Sequence, residues 1–287
     1  MRDFAYHRPA TLDEARRLAL EDGAMLLAGG QTLLRDMKRG RHSPASLVDI
    51  GGILPKQIDL RDGAISIGAG ATHTDVAASV LLRRHLPVLA ALVAHIGDPA
   101  VRNRGTLGGA LAANEPAGDY PAACLGLDAT VHTTARTIAA TEFFVGDRRT
   151  TLERGEIVTH VTIPVATRAA YVKFLNPAAR YAMVGVFAAL AADGHPHVAV
   201  TGARSDGAFR WRDAEGALSA EFTAAALRDI NLRRDGLVED LFADSEYRAH
   251  LAQVLARRAV ALAIGPAPGV VVLTHGSRAP IDGRQLA

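Results

Sequence analysis

Two glycine-containing segments carry the residues of this chain that are best suited to holding a phosphate-bearing ligand. They are Ala28-Gly29-Gly30-Gln31-Thr32 and, further along the chain, Thr106-Leu107-Gly108-Gly109. Glycine lets a backbone approach a ligand closely, and accessible N–H groups in such turns attract anions. Hydroxyl and amide side chains add donors, and Asp119 adds an acceptor suited to sugar hydroxyls. The pattern predicts that the two segments grip one nucleotide cofactor between them.

Each segment, taken alone, has an ordinary structural explanation. Gly29-Gly30 is more often a simple turn, and it fits neither the GxGxxG fingerprint nor the GxxxxGK[ST] loop. The second segment with Asp119 equally describes a glycine hairpin and a solvated carboxylate. Arg102 and Arg104 would contact phosphate, contact a partner or stay solvated, which is the commoner fate of a loop arginine. The cofactor hypothesis depends on the two segments acting together.

The elements around the first segment have the order strand, glycine turn and helix. Thr11 and Glu14 form a capping box for a helix that ends near Gly23. The apolar run 24–28 predicts a buried strand, and a helix follows over 33–38. This layout aims backbone N–H groups at an anion. Further on, a helix starting at Thr72 or Thr74 is predicted to reach residue 82, and another covers 87–96.

A change of composition near residues 164–168 indicates a domain boundary. The alternating run 157–163 predicts a strand before it, and residues 171–201 predict an antiparallel meander after it. Helices are predicted over 217–229 and 245–263, and the Pro- and Gly-rich stretch after them predicts a tail. We therefore expect domains at 1–166 and 167–264 and a tail at 265–287.

Composition narrows the classes of function. The chain has 287 residues, of which 49% are apolar and 22% charged, the balance of a soluble globular protein. A net charge of +2 predicts no nucleic-acid partner. The single cysteine, Cys124, cannot by itself hold an iron–sulfur cluster or a structural zinc ion. His195 and His197 fit a turn better than a metal pair, so we expect no metal ligands. No apolar run is long enough to span a membrane, and no signal core is present at the N-terminus, which predicts a cytoplasmic protein.

The sequence also resembles a known family. The runs DPAVRNRGTLGGALAANEPAGD, AGGQTLLRDMK and GEIVTHVTIP are similar to the flavin-binding subunit of molybdenum hydroxylases, a family that includes the carbon monoxide dehydrogenase medium chain and the FAD domain of xanthine dehydrogenase. The similarity continues through YVKF and NPAARYAMVGV and covers about residues 4–263. It implies an α+β fold, with a two-part FAD-binding domain of the PCMH type followed by a smaller α+β domain that has an antiparallel sheet and helices.

The resemblance implies fifteen cofactor-binding residues and no catalytic acid or base. They are Leu27, Ala28, Gly29, Gly30, Gln31, Thr32 and Leu33 in the first loop, Thr106, Gly108 and Gly109 in the second, Asn114 and Asp119 after it, and Ile96, Thr159 and Lys173 near the flavin. By its sequence context alone, Lys173 is either an exposed edge residue or a charge facing the flavin.

Two positions depart from the family pattern. Ala110 stands where the family often has asparagine, which removes a side-chain donor that Asn114 would partly replace. Tyr181 stands where related chains often have a smaller residue, and it would pack on the flavin or restrict access to it.

The function that the resemblance implies is electron transfer. Electrons would pass from a molybdenum-cofactor subunit, through an iron–sulfur subunit, to FAD on this chain and then to NAD, a quinone or oxygen. The partners would form a heterotrimer with it, single or doubled. Two alternatives stay open: a free-standing FAD-dependent oxidoreductase on the same fold, and a non-catalytic nucleotide-binding assembly protein. This sequence does not indicate which substrate the complex would act on.

Overall fold

The computed structural model describes residues 3–146, 148–179, 181–265 and 270–273. Its helices are α1 (Leu12–Ala19), α2 (Leu33–Lys38), α3 (His73–Ala78), α4 (Val80–His85), α5 (Pro87–Ala94), α6 (Pro99–Arg102), α7 (Leu107–Ala113), α8 (Asp119–Gly126), α9 (Ala140–Phe143), α10 (Arg212–Leu218) and α11 (Ser245–Ile264), with a 3₁₀ turn at Ala225–Leu227. Its strands are β1 (Ala5–His7), β2 (Ala24–Leu27), β3 (Ser46–Asp49), β4 (Ile58–Arg61), β5 (Ala64–Gly68), β6 (Thr130–Thr133), β7 (Thr137–Ala139), β8 (Phe144–Gly146), β9 (Arg149–Thr150), β10 (Val158–Pro164), β11 (Arg168–Leu175), β12 (Ala182–Leu190), β13 (Pro196–Thr201), β14 (Phe209–Arg210) and β15 (Val270–Leu273).

The first sheet is small and parallel, with the strand order β1-β3-β2. Helix α1 packs on β2 and β3 through Ala15 and Ala19, which are buried. The Thr11 hydroxyl accepts a hydrogen bond from the Glu14 N–H, as predicted. The Glu14 carboxylate reaches one residue further back than a capping box requires, to the N–H of Ala10. This helix supports the strand that leads into the first glycine segment.

The second sheet is antiparallel and has the order β4-β5-β10-β6-β7. Alternating apolar residues on β5, β6 and β10 are buried, including Ile65, Ile67, Val131 and Val161. Such alternation is what a sheet with one face on a core requires. Helix α7 packs on β10 and on α8, so the second glycine segment is attached to this sheet.

The third sheet has the order β14-β13-β12-β11-β15, in which only the β11–β15 pair is parallel. Helix α11 packs on β11 and β12, while α8 packs on β12 and β13. Strand β12 is almost entirely buried because helices cover both of its faces. Helix α8 therefore connects the N-terminal helices α5 and α7 to the C-terminal sheet.

The predicted fold class is confirmed, and several predicted elements are corrected. The helix predicted over 217–229 is wrong, because α10 begins at Arg212 and ends at Leu218. Trp211 and Glu215, at the start of this helix, are buried. The helix predicted to reach residue 82 is divided at Ser79, which caps α4. Within the predicted tail, β15 pairs with the edge of β11, while residues 266–269 and 274–287 lie outside the described residues. Helix α11 agrees with its prediction.

Candidate functional site

The two glycine segments contact each other directly. A Cβ added at Gly29 would lie 2.0 Å from the carbonyl oxygen of Arg104, so only glycine fits where the first loop (residues 27–33) meets the second loop (residues 104–109). Strand β2 leads into the first loop and α2 follows it. The two glycine segments, which are distant in sequence, are therefore in contact in the fold, as the sequence predicted.

A cavity of about 630 Å³ opens between these loops and residues 148–158. This volume falls within the range of small-molecule and cofactor sites. Ten of the fifteen predicted residues line it: Leu27, Ala28, Gly29, Gly30, Gln31, Thr32, Leu33, Thr106, Gly108 and Gly109. The cavity wall also includes Ala110, where the side chain supplies no donor.

The first loop offers backbone donors to the cavity. Thr32 is the N-cap of α2, yet its side chain makes no capping hydrogen bond. The N–H groups of Gln31 and Thr32 have no acceptor within the described part of the chain. N–H groups at the start of a helix attract anions. This loop therefore has the chemistry that a phosphate needs.

The second loop differs from its prediction as a free glycine turn. It is the N-cap and first turn of α7, and Thr106 is the capping residue. We expected accessible N–H groups at both glycines, but Gly108 N–H donates to the Ala69 carbonyl at 2.9 Å and Gly109 N–H donates to Thr106 Oγ1 at 3.2 Å. The glycines instead keep the wall clear of side chains. The Thr106 hydroxyl accepts the Gly109 hydrogen bond and still has its own hydrogen to donate.

Five predicted residues lie outside the wall of this cavity, namely Ile96, Asn114, Asp119, Thr159 and Lys173. Their contact with a cofactor stays a prediction. Asn114 is fully buried, and its Nδ2 donates to the Arg149 carbonyl at 2.8 Å. It therefore does not replace a donor at Ala110. The Thr159 carbonyl accepts from the Ala69 N–H, and the Ile96 carbonyl accepts from Arg102.

Asp119 and Lys173 form a buried ion pair. Lys173 Nζ lies 2.7 Å from Asp119 Oδ2, and the Lys173 side chain is 1% exposed, so the exposed-edge interpretation is wrong. The Tyr171 hydroxyl donates to the other carboxylate oxygen at 2.5 Å. Burial first, and then the Asp119 charge and hydrogen bond, raise the pKa of Tyr171 well above its ordinary value. These contacts join α8 to β11.

Sequence reasoning missed the cationic part of the cavity wall. Arg148 and Arg149 both line the cavity. The Arg148 guanidinium lies 2.7 Å from Glu115 and 3.6 Å from Asp36, a carboxylate that is 3% exposed and also lines the cavity. The arginine doublet is the only local signal, and arginine doublets are usually solvated. Tertiary contacts, rather than the local pattern, bring these cations to the cavity.

Two further ionisable groups line the cavity. His73 is 5% exposed, and burial, with a smaller contribution from the Arg102 charge, lowers its pKa to about 4. Burial opposes ionisation of Glu156, but hydrogen bonds led by that from Arg136 outweigh it and hold the pKa of Glu156 below its ordinary value. His73 is therefore neutral and Glu156 charged at neutral pH.

The remaining sequence hypotheses concern residues beside the cavity. Arg102 Nη1 donates to the carbonyls of Ile96 and Gly97, which gives it a structural task rather than a phosphate contact. The Tyr181 hydroxyl accepts a hydrogen bond from Arg35 of α2 at 2.9 Å, so it links the C-terminal part of the chain to the helix after the first loop. Burial raises the pKa of the Cys124 thiol to about 12, which makes it inert.

The described residues form neither a metal cluster nor a membrane-spanning helix. Across the described ranges, no group of three or more histidine, cysteine or acidic side chains is arranged to hold a metal ion. None of the helices in the described part of the chain has the length and apolar character needed to cross a bilayer.

Comparison with known proteins gives consistent matches. Residues 2–166 match the family model described as "FAD binding domain in molybdopterin dehydrogenase". The chain is 32% identical to the nicotine 6-hydroxylase medium subunit of Paenarthrobacter nicotinovorans, over 89% of this chain and 95% of that protein. It is 31% identical to the carbon monoxide dehydrogenase medium chain of Hydrogenophaga pseudoflava, over 90% and 96%. A solved structure of carbon monoxide dehydrogenase from the same organism superposes with a TM-score of 0.81 at 31% identity, over 91% of this chain and 97% of that one.

Proposed function

The chain belongs to the family of FAD-binding domains of molybdopterin dehydrogenases, and from this we propose that it is the flavoprotein electron-transfer subunit of a multi-subunit molybdenum hydroxylase. Its cofactor is FAD, and it is part of an oxidoreductase. When bound, the flavin would take electrons from iron–sulfur clusters of a partner subunit and deliver them to an external acceptor. The medium-subunit names of its relatives support partners of this kind.

The cavity between the two glycine loops is the observation that carries this proposal. Its volume of about 630 Å³ suits a cofactor, and a Cβ at Gly29 would separate the loops that form it. The wall combines apolar side chains from β2 with unused N–H groups, two arginines and the carboxylates of Asp36 and Glu156. Such a mixture fits a molecule with a ring system and a diphosphate, which FAD has.

Different residues of the cavity wall would have different roles in binding the phosphates. The Gln31 and Thr32 N–H groups and the Thr106 hydroxyl would donate to phosphate oxygens. Arg149 would offset the phosphate charge, while Arg148, which also lines the cavity, is paired with Glu115 and Asp36. The single cysteine of the chain leaves it without the thiolates of an iron–sulfur cluster, so the clusters would belong to a partner.

The visible absorbance spectrum of the purified chain tests the proposal. We expect a yellow protein that retains FAD, oxidises no substrate alone and copurifies with an iron–sulfur subunit and a molybdenum-cofactor subunit. A colourless protein that takes up no added FAD would refute the flavin assignment and leave an assembly role. A flavoprotein that oxidises a substrate without partners would instead establish the free-standing enzyme.

Substitution of Gly109 tests the position of the cofactor. A Cβ there would lie 2.8 Å from Thr106 Oγ1 and otherwise meets only Ala28 at 3.8 Å, so a large side chain has room only toward the cavity that Gly109 lines. Gly109→Trp should therefore abolish FAD retention, measured as flavin absorbance per protein. Gly216→Trp is the matched control, because Gly216 is exposed on α10 and an added Cβ there meets no atom within 4 Å. Equal retention in both variants would show that the loop assignment is wrong.

A further inference from the structure

His73 is the one histidine of the described chain that is both buried and attached to the second loop. It is the first residue of α3, and its own N–H donates to the Gly105 carbonyl at 2.9 Å. Its ring packs against Tyr120 with a centroid distance of 5.3 Å. A Cβ at Gly105 would lie 2.5 Å from His73 Nε2, so the glycine is what lets the imidazole lie against the loop. His73 and Gly105 both line the cavity.

The two ring nitrogens have different surroundings. Nδ1 is sealed from solvent and has no hydrogen-bond partner in the described part of the chain. A buried N–H without an acceptor costs more than a buried lone pair without a donor, and orphaned N–H groups are correspondingly rare. The neutral imidazole therefore carries its proton on Nε2. This places an N–H donor beside Gly105, at the edge of the second loop.

We propose that His73 is a cofactor-contacting residue, whose Nε2–H group donates a hydrogen bond to an oxygen of the FAD bound in this cavity. The inference rests on the proposed function, because it takes FAD as the ligand. It adds a contact from α3, an element outside both glycine loops. A neutral donor suits this position because Arg102, whose charge acts on His73, and the arginines of the cavity wall already supply the positive charge.

Three variants test this contact, since glutamine and asparagine place an amide nitrogen at different distances from the backbone. The amide of His73→Gln reaches the position of Nε2, whereas that of His73→Asn reaches only the position of Nδ1, and His73→Leu has no donor. Apoprotein of each variant is titrated with FAD by fluorescence quenching. We expect the Kd to rise roughly tenfold in His73→Leu and His73→Asn, and by at most about threefold in His73→Gln.

The outcomes separate this inference from the proposed function. If the wild-type apoprotein binds no FAD, the proposed function fails. If the wild type binds FAD and His73→Leu binds it equally tightly, or His73→Gln is as weak as His73→Leu, the contact is refuted while the function stands. Nitrogen NMR of the wild type covers the case in which a variant does not fold. We expect the Nε2–H tautomer and a shift of the Nε2 resonance on adding FAD, and an Nδ1–H tautomer or an unchanged resonance would overturn the proposal.

Discussion

Replacing Lys173 by methionine should destabilise the protein strongly, because it leaves a carboxylate uncompensated in the interior. Lys173 Nζ lies 2.7 Å from Asp119 Oδ2, and the two side chains are 1% and 7% exposed. In the variant, Asp119 keeps the hydrogen bond from Tyr171 and loses its counter-charge. Removing one member of a buried pair costs about 3–5 kcal/mol in free energy of unfolding. Domains typically have only about 5–15 kcal/mol in total.

A double-mutant cycle isolates the interaction between the two charges. Asp119→Asn leaves the Lys173 ammonium with the His95 carbonyl at 3.3 Å, so it should also destabilise. The double variant Lys173→Met/Asp119→Asn buries no charge at this place and should cost less than the sum of the single changes. We expect a coupling energy of about 2–4 kcal/mol, measured by urea unfolding of the apoprotein at pH 7. Circular dichroism follows the whole chain, and Trp211, the single tryptophan, reports on the C-terminal core.

An exposed pair provides the matched control. Arg154 lies 2.9 Å from Asp22, a similar distance, but the side chains are 54% and 102% exposed. The same cycle at this pair should give no measurable coupling, because water screens it. Equal coupling in the two pairs would refute the argument that burial makes the Lys173–Asp119 pair strong. If Asp119→Asn instead leaves apoprotein stability unchanged and weakens FAD binding, the result supports the predicted contact of Asp119 with the cofactor.

Two other predictions follow from close contacts and burial. Gly29→Ala should raise the Kd for FAD at least roughly tenfold and lower the urea midpoint, because its Cβ would lie 2.0 Å from a backbone oxygen. The control Gly216→Ala in α10 should instead stabilise the protein by up to about 1 kcal/mol, since its Cβ meets no other atom. Equal effects of the two substitutions would contradict the contact between the loops. His73 has a pKa lowered from 6.5 to about 4 in the folded state, so its contribution to stability is present above pH 6.5 and is lost as the pH falls toward 4. Between pH 7 and pH 4 the wild type should therefore lose about 3 kcal/mol relative to His73→Gln in urea unfolding, and a constant difference would show that His73 titrates normally.

Local pattern was sufficient for the elements that end in recognisable signals. Thr11 and Glu14 predicted the start of α1, and the apolar run before Gly29 predicted β2. Helix α11 was predicted almost to its last residue, because a helical pattern sustained over twenty residues is hard to mistake for a strand or a loop. The family motifs likewise lie in the two loops, where residue types and spacing determine which backbone can form.

Prediction failed where long-range contacts decide the structure. One interpretation of the second segment was a glycine hairpin with a solvated Asp119, yet Asp119 is buried and begins α8, which is packed between α5 and the C-terminal sheet. The residues of β15 lie in a Pro- and Gly-rich stretch that was predicted to be a tail, but the edge of β11 supplies hydrogen-bond partners for them. In both cases the stabilising partner is far away in sequence.

The sequence by itself determined the two loops, because glycine positions and capping residues are local signals, and its resemblance to a known family implied the α+β class and the FAD cofactor. Only the tertiary structure decided what each side chain does. It assigned the N–H groups of Gly108 and Gly109 to internal hydrogen bonds and paired Asp119 with Lys173 inside the protein. It also brought Arg148 and His73 to the cavity wall. The physical reason is that burial and charge pairing depend on residues from several elements, and their positions follow from packing rather than from spacing along the chain.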